Sequence, residues 1–409
     1  MNNSFFLNYL IATLALILPI VVYVAYPGTS GVPSILMSII IFGNYILMKD
    51  LGFCSVIKLD FFFKLFFLII ILGILLTLTT SSFEGNDVPL LLVHVLSWLS
   101  MVVLLMVRDV TSVFAFTKCY LITYIPCAIY SYYYYTGFGL YDVPHILDKL
   151  CLFLMISMFF PKKYQLILLT ALIMAPIYDI SARACLITTL FGILFYVCSK
   201  LLPMFLIKYV IRLFRIFFLL APIVFVLLAT YTSYNILSEI EEIDLTELDV
   251  SKGRKSEGRT INIDTRTEVY KDVFFSIENT SDLLIGKGSV IHLDSMWTAL
   301  RNNVEAGILN IFLRYGLIGC MVFFIIIWIT SRKGVYESNN LLTMLSGLYV
   351  SFRFSLSFLD DPSIDPVLYI AMGICLNANI RSMTNNQIKA VLSNKSRYKD
   401  TRKHVNSYC

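Results

Sequence analysis

A few charged side chains of this sequence lie inside or beside long apolar stretches. Arg353 is the clearest case, in Ser351-Phe352-Arg353-Phe354. A charge at the centre of a bilayer costs roughly 2.5–3.5 kcal/mol on insertion scales, so it needs a reason to be there. Asp360 follows seven residues later, which is two helical turns, and the two side chains are predicted to share a face. A guanidinium is suited to bidentate phosphate recognition; the alternative is a structural pair with an acid on a neighbouring helix.

Two further charged residues are predicted to open helices. Arg183 begins an apolar stretch after Asp179-Ile180-Ser181-Ala182, where a ligand contact and a headgroup contact fit equally well. Glu305 begins another stretch, and its carboxylate there is either a general base or an acid favoured by the helix dipole. Arg314, nine residues after Glu305, is half a turn out of phase, so the two point apart unless the helix breaks.

The composition requires a membrane. Of the 409 residues, 58% are hydrophobic and 14% charged, and the mean hydropathy is +0.78, whereas soluble proteins carry about 25% charged residues. The sequence predicts an all-α, polytopic integral membrane protein of about twelve transmembrane helices. The apolar stretches are 5–26, 31–49, 60–80, 87–107, 113–135, 146–161, 164–180, 183–202, 213–234, 305–330, 340–358 and 366–381.

Alternate connections between these stretches differ in charge. One set holds thirteen Lys and Arg residues, and the other set holds none. Because cationic loops stay cytoplasmic, both termini are predicted inside and the long connection 235–304 outside. The predicted regions are 1–234 (helices 1–9), 235–304 (external loop), 305–381 (helices 10–12) and 382–409 (basic tail). Because the basic residues are scattered among these loops, no nucleic-acid partner is expected. Residues 203–212 are too cationic for mid-bilayer and are predicted to form a separate interfacial helix.

The long loop contains two local signals. Asp264 is typical of a helix N-cap, and Tyr270, Phe274 and Ile277 follow at helical spacing, so a helix is predicted that ends near Glu278-Asn279. Further on, Gly286-Lys287-Gly288 indicates positive φ angles or a close backbone approach in a tight turn. No strand–loop–helix context surrounds it, which excludes a nucleotide-binding loop.

Several short segments together resemble the O-antigen polymerase/ligase superfamily (Wzy and its ligase relatives). They are Ser181-Ala182-Arg183, Arg266-Thr267-Glu268-Val269-Tyr270, Leu284-Ile285-Gly286-Lys287-Gly288 and Tyr315-Gly316-Leu317-Ile318-Gly319. The resemblance implies a glycosyltransferase C-like, multi-pass protein of the bacterial inner membrane with one large periplasmic loop. It implies no cofactor and no metal, and the four scattered histidines agree with that.

The same resemblance implies an activity and its partners. The enzyme would move a growing glycan from undecaprenyl diphosphate onto another lipid-linked repeat unit. Arg183 and Arg266 match by position the arginines that hold the diphosphate in the family. Arg353 is added to them because of its predicted depth in the membrane and the helix face on which it lies. Expected partners are the undecaprenyl-diphosphate-linked oligosaccharide, membrane lipid and a chain-length regulator protein.

One position favours polymerase over ligase. Ligases carry a histidine eleven residues before the first glycine of the last motif, Gly316, and here that position is Glu305. Glu305 is therefore the candidate general base. The alternatives are a ligase that transfers polymer onto lipid A–core, and a flippase or transporter of lipid-linked oligosaccharides. Transporters usually show paired repeats and broken midplane helices, neither of which is visible in the sequence.

Overall fold

The protein is described from a computed structural model, in which the described residues are helical and contain no strand. Glu305, Arg266 and Asp360 lie outside the described part, as does the predicted start of the loop helix at Asp264. The structure describes residues 6–16, 31–50, 61–79, 100–134, 146–178, 183–231, 276–290, 307–357 and 365–393, and the single positions 88, 91, 98 and 273.

The helices follow the apolar stretches of the sequence. In chain order they are α1 (Phe6–Leu16), α2 (Gly31–Asp50), α3 (Phe61–Thr79), α4 (Val110–Tyr134), α5 (Cys151–Met155), α6 (Lys162–Tyr178), α7 (Arg183–Leu201), α8 (Met204–Tyr231), α9 (Thr280–Ile285), α10 (Gly307–Tyr336), α11 (Leu341–Leu356), α12 (Pro366–Leu376), α13 (Ala378–Ser382) and α14 (Asn385–Ser393). Short 3-10 turns occupy Ser100–Met106, Asp148–Leu150 and Ser157–Phe159.

Four of the described helices are long and apolar enough to cross a membrane: Phe61–Thr79, Val110–Tyr130, Ala184–Leu201 and Gly307–Tyr336. On α3, Phe63, Phe66 and Ile70 are buried, whereas Leu72 and Leu75 are about half exposed, at 52% and 53%. Exposed apolar surface of that kind fits contact with lipid and not with water. The protein is thus an all-α membrane protein, and the number of twelve spans stays a prediction.

Helices α11 and α12 form the centre of the bundle. Every residue of α11 except Ser355 is buried, and α11 packs against α8, α10 and α12. Two asparagines fix one end of these helices. Asn340 caps α11 and donates to the carbonyls of Ile380 (2.8 Å) and Met383 (2.9 Å). Asn377 donates to Val107 and Arg108 at the end of the 3-10 turn before α4.

Several segments differ from the sequence-based expectation, and two of them concern the predicted helix bounds. Residues 203–212 do not form a separate interfacial helix, because α8 runs without interruption from Met204 to Tyr231. Pro203 precedes it and limits the helix start. The stretch 146–161 does not form one regular helix either, but two 3-10 turns around the five-residue α5. Irregular backbone at membrane depth is tolerated where it is enclosed by protein, and all five residues of α5 are buried.

Candidate functional site: a buried ionic cluster and a motif junction

The guanidinium of Arg353 lies in a buried cluster of four charged side chains, which we call the ionic cluster. Its Nε is 2.5 Å from Asp365 Oδ2, and its Nη1 is 3.9 Å from Asp148 Oδ2. Asp148 Oδ1 is 3.5 Å from Lys149 Nζ. Arg353, Asp148 and Asp365 are at most 3% exposed. Among the described residues, two carboxylates thus lie beside two cations, and charges buried in a low-dielectric interior need such partners.

Asp365 is positioned by the start of α12. Its Oδ1 accepts from the backbone N–H groups of Val367 (3.1 Å) and Leu368 (3.3 Å), and Pro366 occupies the first helical turn. An aspartate that caps a helix and is followed by proline is a strong start signal. The cap uses Oδ1, so Oδ2 faces Arg353. The positive end of the α12 dipole also favours a carboxylate at this position.

Three buried tyrosines lie near the ionic cluster. Tyr349 lies one turn before Arg353 on α11, and Tyr120 and Tyr124 stack on each other on α4, with ring centroids 4.5 Å apart. All three rings are buried and close enough to Asp365 to interact with it electrostatically. The ionic cluster itself joins α11, α12 and the 3-10 turn that carries Asp148.

The position of the ionic cluster in the bundle follows from the helix ends. Arg353 is in the last turn of α11, and Asp365 is the residue before α12. Asn340 and Asn377 mark the opposite ends of the same two helices. By the charge bias of the loops, the end with Asn340 is the predicted cytoplasmic one. The ionic cluster consequently lies toward the predicted outer end.

A second feature is the junction between two of the motif segments, which we call the motif junction. Helix α10 is interrupted at Gly316, where φ is 65° and ψ is −170°. A break of this kind deprives carbonyls of their donors within the helix. The loop supplies replacements, since the N–H of Lys287 donates to the Leu313 carbonyl (2.7 Å) and that of Gly288 to the Arg314 carbonyl (3.2 Å).

Three glycines make this approach of two backbones feasible. Gly286 (φ 80°), Gly288 (φ 100°) and Gly316 all have positive φ, as the sequence predicts for the first two. A Cβ on Gly286 would lie 2.4 Å from the Arg314 carbonyl carbon, and one on Gly316 would lie 2.3 Å from that of Leu284. Neither Gly286 nor Gly316 therefore leaves room for a side chain where the two backbones meet.

Helix α3 forms the third wall of the motif junction. The N–H of Ser289 is 2.6 Å from Thr77 Oγ1 and 3.3 Å from the Gly73 carbonyl, and donates to both. The ring of Tyr315 covers Gly73, where an added Cβ would lie 2.8 Å from the ring. The Lys287 ammonium faces Glu278 and Asp282, at 3.4 and 3.8 Å. The segment 287–289 is thus anchored to α3 and α10.

The structure describes the four predicted site residues to different extents. Arg183 lies in α7, at the first residue of that segment that the structure describes, so its role as a helix start stays a prediction; its side chain is outside the described part, as are Arg266 and Glu305. The side chain of Arg353 is described, and its pair with an acid on a neighbouring element is present. Arg314 is buried, two residues before the break in α10.

Sequence reasoning missed the partners of Arg353. Asp148 and Lys149 interrupt the apolar stretch 146–161, and the cost of a charge in a membrane marks any such residue for attention. Asp365 stands directly before Pro366, which is a helix-start signal readable from sequence. These signals identify the residues, whereas their contact with Arg353 depends on how separate helices pack.

Comparison with known protein families, with curated proteins and with solved structures finds no match to this chain. In the described part of the chain, no three His, Cys, Asp or Glu side chains are grouped as metal ligands would be. The fold and the ionic cluster define the protein as an all-α membrane protein with buried carboxylates and a buried guanidinium in contact with each other.

Proposed function

We propose that this protein is a polymerase of the O-antigen type, which joins undecaprenyl-diphosphate-linked repeat units at the periplasmic face of a bacterial inner membrane. The observation that carries the proposal is the motif junction. Leu284–Gly288 and Tyr315–Gly319, two segments on which the family resemblance rests, contact each other through glycines that accept no side chain. A common packing requirement explains why both segments occur in one chain.

The chemistry requires no cofactor, because a sugar on a diphosphate is already activated. An acceptor hydroxyl attacks the anomeric carbon as the bond to the diphosphate oxygen breaks, and the diphosphate leaves with the electron pair. Arg183, Arg266 and Arg353 stabilise the negative charge that develops on it, as preorganised cations do. Glu305 takes the hydroxyl proton. A chain-length regulator protein is the expected partner.

The ionic cluster bears on how Arg353 takes part. Its contact with Asp148 is long, at 3.9 Å, whereas its contact with Asp365 is short, at 2.5 Å. A diphosphate would therefore replace Asp148 at Nη1, and Arg353 would stay fixed to α12 through Nε. Asp148 would keep Lys149 as its counterion in that state.

Deletion of the gene in its host, with complementation, tests the proposal. A polymerase deletion leaves lipid A–core that carries a single repeat unit, and the complemented strain regains the ladder of longer chains. Core that lacks glycan altogether would instead identify a ligase or a flippase, and an unchanged ladder would refute the whole assignment.

Two matched variants test the proposed base. Glu305→Gln removes a carboxylate at the predicted outer end, whereas Glu337→Gln removes a half-exposed one at the opposite end, where it pairs with Arg381 at 2.7 Å. We expect Glu337→Gln to complement the deletion and Glu305→Gln to yield single repeats at equal protein level. Full-length chains with Glu305→Gln would exclude Glu305 as the base.

A further inference from the structure

The predicted cytoplasmic end of α8 and α10 carries a concentration of arginines around two aromatic rings. The guanidinium carbons of Arg212 and Arg215 lie 5.4 and 5.3 Å from the ring centroid of Tyr336, and that of Arg215 lies 4.6 Å from the ring of Trp328. Arg332, one turn before Tyr336, directly follows Ser331, to which Arg215 donates, and adds a like charge. Three arginines therefore lie where α8 meets the end of α10.

Arg215 is the buried member of this group of arginines. It is 2% exposed, its Nε donates to Ser331 Oγ at 3.0 Å, and its Nη2 donates to the Trp328 carbonyl at 3.1 Å. These contacts fix the guanidinium between α8 and α10. Arg212 and Arg332 are exposed, so their guanidiniums are accessible to a ligand.

The surface carries positive charge without acids to balance it in the described part of the chain. None of the ion pairs between described residues includes Arg212, Arg215 or Arg332. The nearest acid along the chain, Glu337, pairs with Arg381 instead. Guanidiniums bind phosphate oxygens in a bidentate manner, so an anion of that geometry complements this surface.

The neighbouring exposed residues indicate where that anion comes from. On α8, Phe205, Tyr209 and Phe217 are 75%, 65% and 59% exposed, and on α10 Trp328 is 39% exposed. Apolar side chains beside the arginines require acyl chains as neighbours, and Trp and Tyr are typical of the headgroup level of a membrane. A soluble phosphate would leave this apolar flank in contact with water.

We propose that Arg212 and Arg332, supported by Arg215, Tyr336 and Trp328, bind the phosphate of one anionic phospholipid of the cytoplasmic leaflet. The site lies at the opposite end of the bundle from the ionic cluster, so it is independent of the proposed polymerase chemistry. The lipid would join α8 to the end of α10 and stabilise their contact.

The test uses the full-length protein purified in an uncharged detergent. Its melting temperature is measured as phosphatidylglycerol, phosphatidylcholine with the same acyl chains, or inorganic phosphate is added. We expect phosphatidylglycerol to raise the melting temperature to a plateau, and the other two to have no effect. An equal rise with phosphatidylcholine would overturn the proposal. An equal rise with inorganic phosphate would overturn the lipid as the ligand.

A matched pair of variants tests the residues. Arg212→Gln with Arg332→Gln should weaken phosphatidylglycerol binding about 30-fold, since each cation near an anionic surface contributes about 1 kcal/mol. Lys162→Gln with Lys163→Gln removes two exposed lysines at the start of α6, on the same predicted side, and should bind as the wild type does. Equal weakening in both variants would mean a general charge effect and refute the site.

A conservative variant covers the case in which the glutamine variant does not fold. Arg212→Lys with Arg332→Lys keeps both charges and loses both guanidinium forks. Native mass spectrometry should show retained phosphatidylglycerol on the wild type and weaker retention on this variant. Equal retention of phosphatidylglycerol and phosphatidylcholine by the wild type would contradict the proposal in this measurement too.

Discussion

Asp365 binds the guanidinium of Arg353 with one carboxylate oxygen and caps helix α12 with the other. Oδ2 lies 2.5 Å from Arg353 Nε, and Oδ1 accepts from the N–H groups of Val367 and Leu368. One buried side chain thus ties the start of α12 to the last turn of α11. Because both groups are buried, substitution of either one should change the stability of the protein measurably.

The first prediction concerns Asp365→Asn. Asparagine still caps a helix, but it removes the carboxylate that lies 2.5 Å from Arg353 Nε. We expect the free energy of unfolding to fall by about 3–5 kcal/mol, as when one partner of a buried ion pair is removed. Asp365→Ala should cost about 1 kcal/mol more, since the cap is lost as well.

Thermal and denaturant unfolding of the purified protein measure both effects. Glu337→Gln is the control, because it breaks an ion pair with Arg381 in which the Glu337 side chain is 44% exposed. An exposed pair contributes only about 0–1 kcal/mol. A wild-type melting temperature for Asp365→Asn would show that the ionic cluster does not hold α12.

The second prediction separates a structural from a substrate-binding role of Arg353. The double variant Arg353→Met with Asp365→Asn removes one cation and one anion together, and Asp148 keeps Lys149 at 3.5 Å. Replacing a buried ion pair by neutral side chains is often close to neutral in stability. We therefore expect the double variant to be more stable than Asp365→Asn alone.

Glycan banding in the complemented deletion strain then reports on function. If the Arg353 guanidinium contacts the diphosphate, the stable double variant should still yield only single repeats. Long chains made by this variant would limit Arg353 to its structural pair. Protein level in the membrane must be equal for either result to count.

The third prediction concerns the glycines of the motif junction. Gly286→Ala and Gly316→Ala each place a Cβ within 2.4 Å of a backbone atom and force a positive φ on alanine. The dihedral strain alone is about 1–2 kcal/mol, and the clash adds to it. We expect loss of folded protein in the membrane for both variants.

Gly43→Ala is the matched control for these glycines. Gly43 lies in α2 and has nothing within 4 Å of an added Cβ. Alanine is about 1 kcal/mol better than glycine in a helix interior, so this variant should be as stable as the wild type or slightly more so. Normal expression and melting of Gly286→Ala would contradict the contact between the two motif segments.

The fourth prediction concerns Thr77→Val. Valine has a similar shape but removes the oxygen that accepts from Ser289 N–H at 2.6 Å, and leaves that donor only the longer contact to Gly73. We expect a loss of about 1–3 kcal/mol, the cost of a poorly satisfied buried group. Hydrogen exchange of residues 286–289 should become faster.

The control for Thr77 is Thr117→Val. Thr117 is also buried, but its hydroxyl only donates to the Val113 carbonyl of its own helix, at 2.9 Å. Its substitution should leave exchange at 286–289 unchanged. If both variants exchange equally fast there, the hydrogen bond from Ser289 does not anchor the loop.

The sequence by itself determined the features that depend on short stretches of chain. The length of the apolar stretches predicts membrane helices, and α3, α4, α7 and α10 are long and apolar enough for that. The positive φ of Gly286 and Gly288 was also readable. Each of these is set by the residue itself and its immediate neighbours.

Only the tertiary structure decided which groups meet. Asp365 and Asp148, distant from Arg353 along the chain, provide its carboxylates. The break at Gly316 looks like continuous helix in sequence, because the donors that satisfy its carbonyls come from Lys287 and Gly288 in the loop. Likewise, Arg215 can be buried in α8 because Ser331 Oγ and the Trp328 carbonyl of α10 accept hydrogen bonds from its guanidinium. In each case the cost of a buried charge or an unpaired carbonyl is local, whereas the partner that offsets it is brought near by packing.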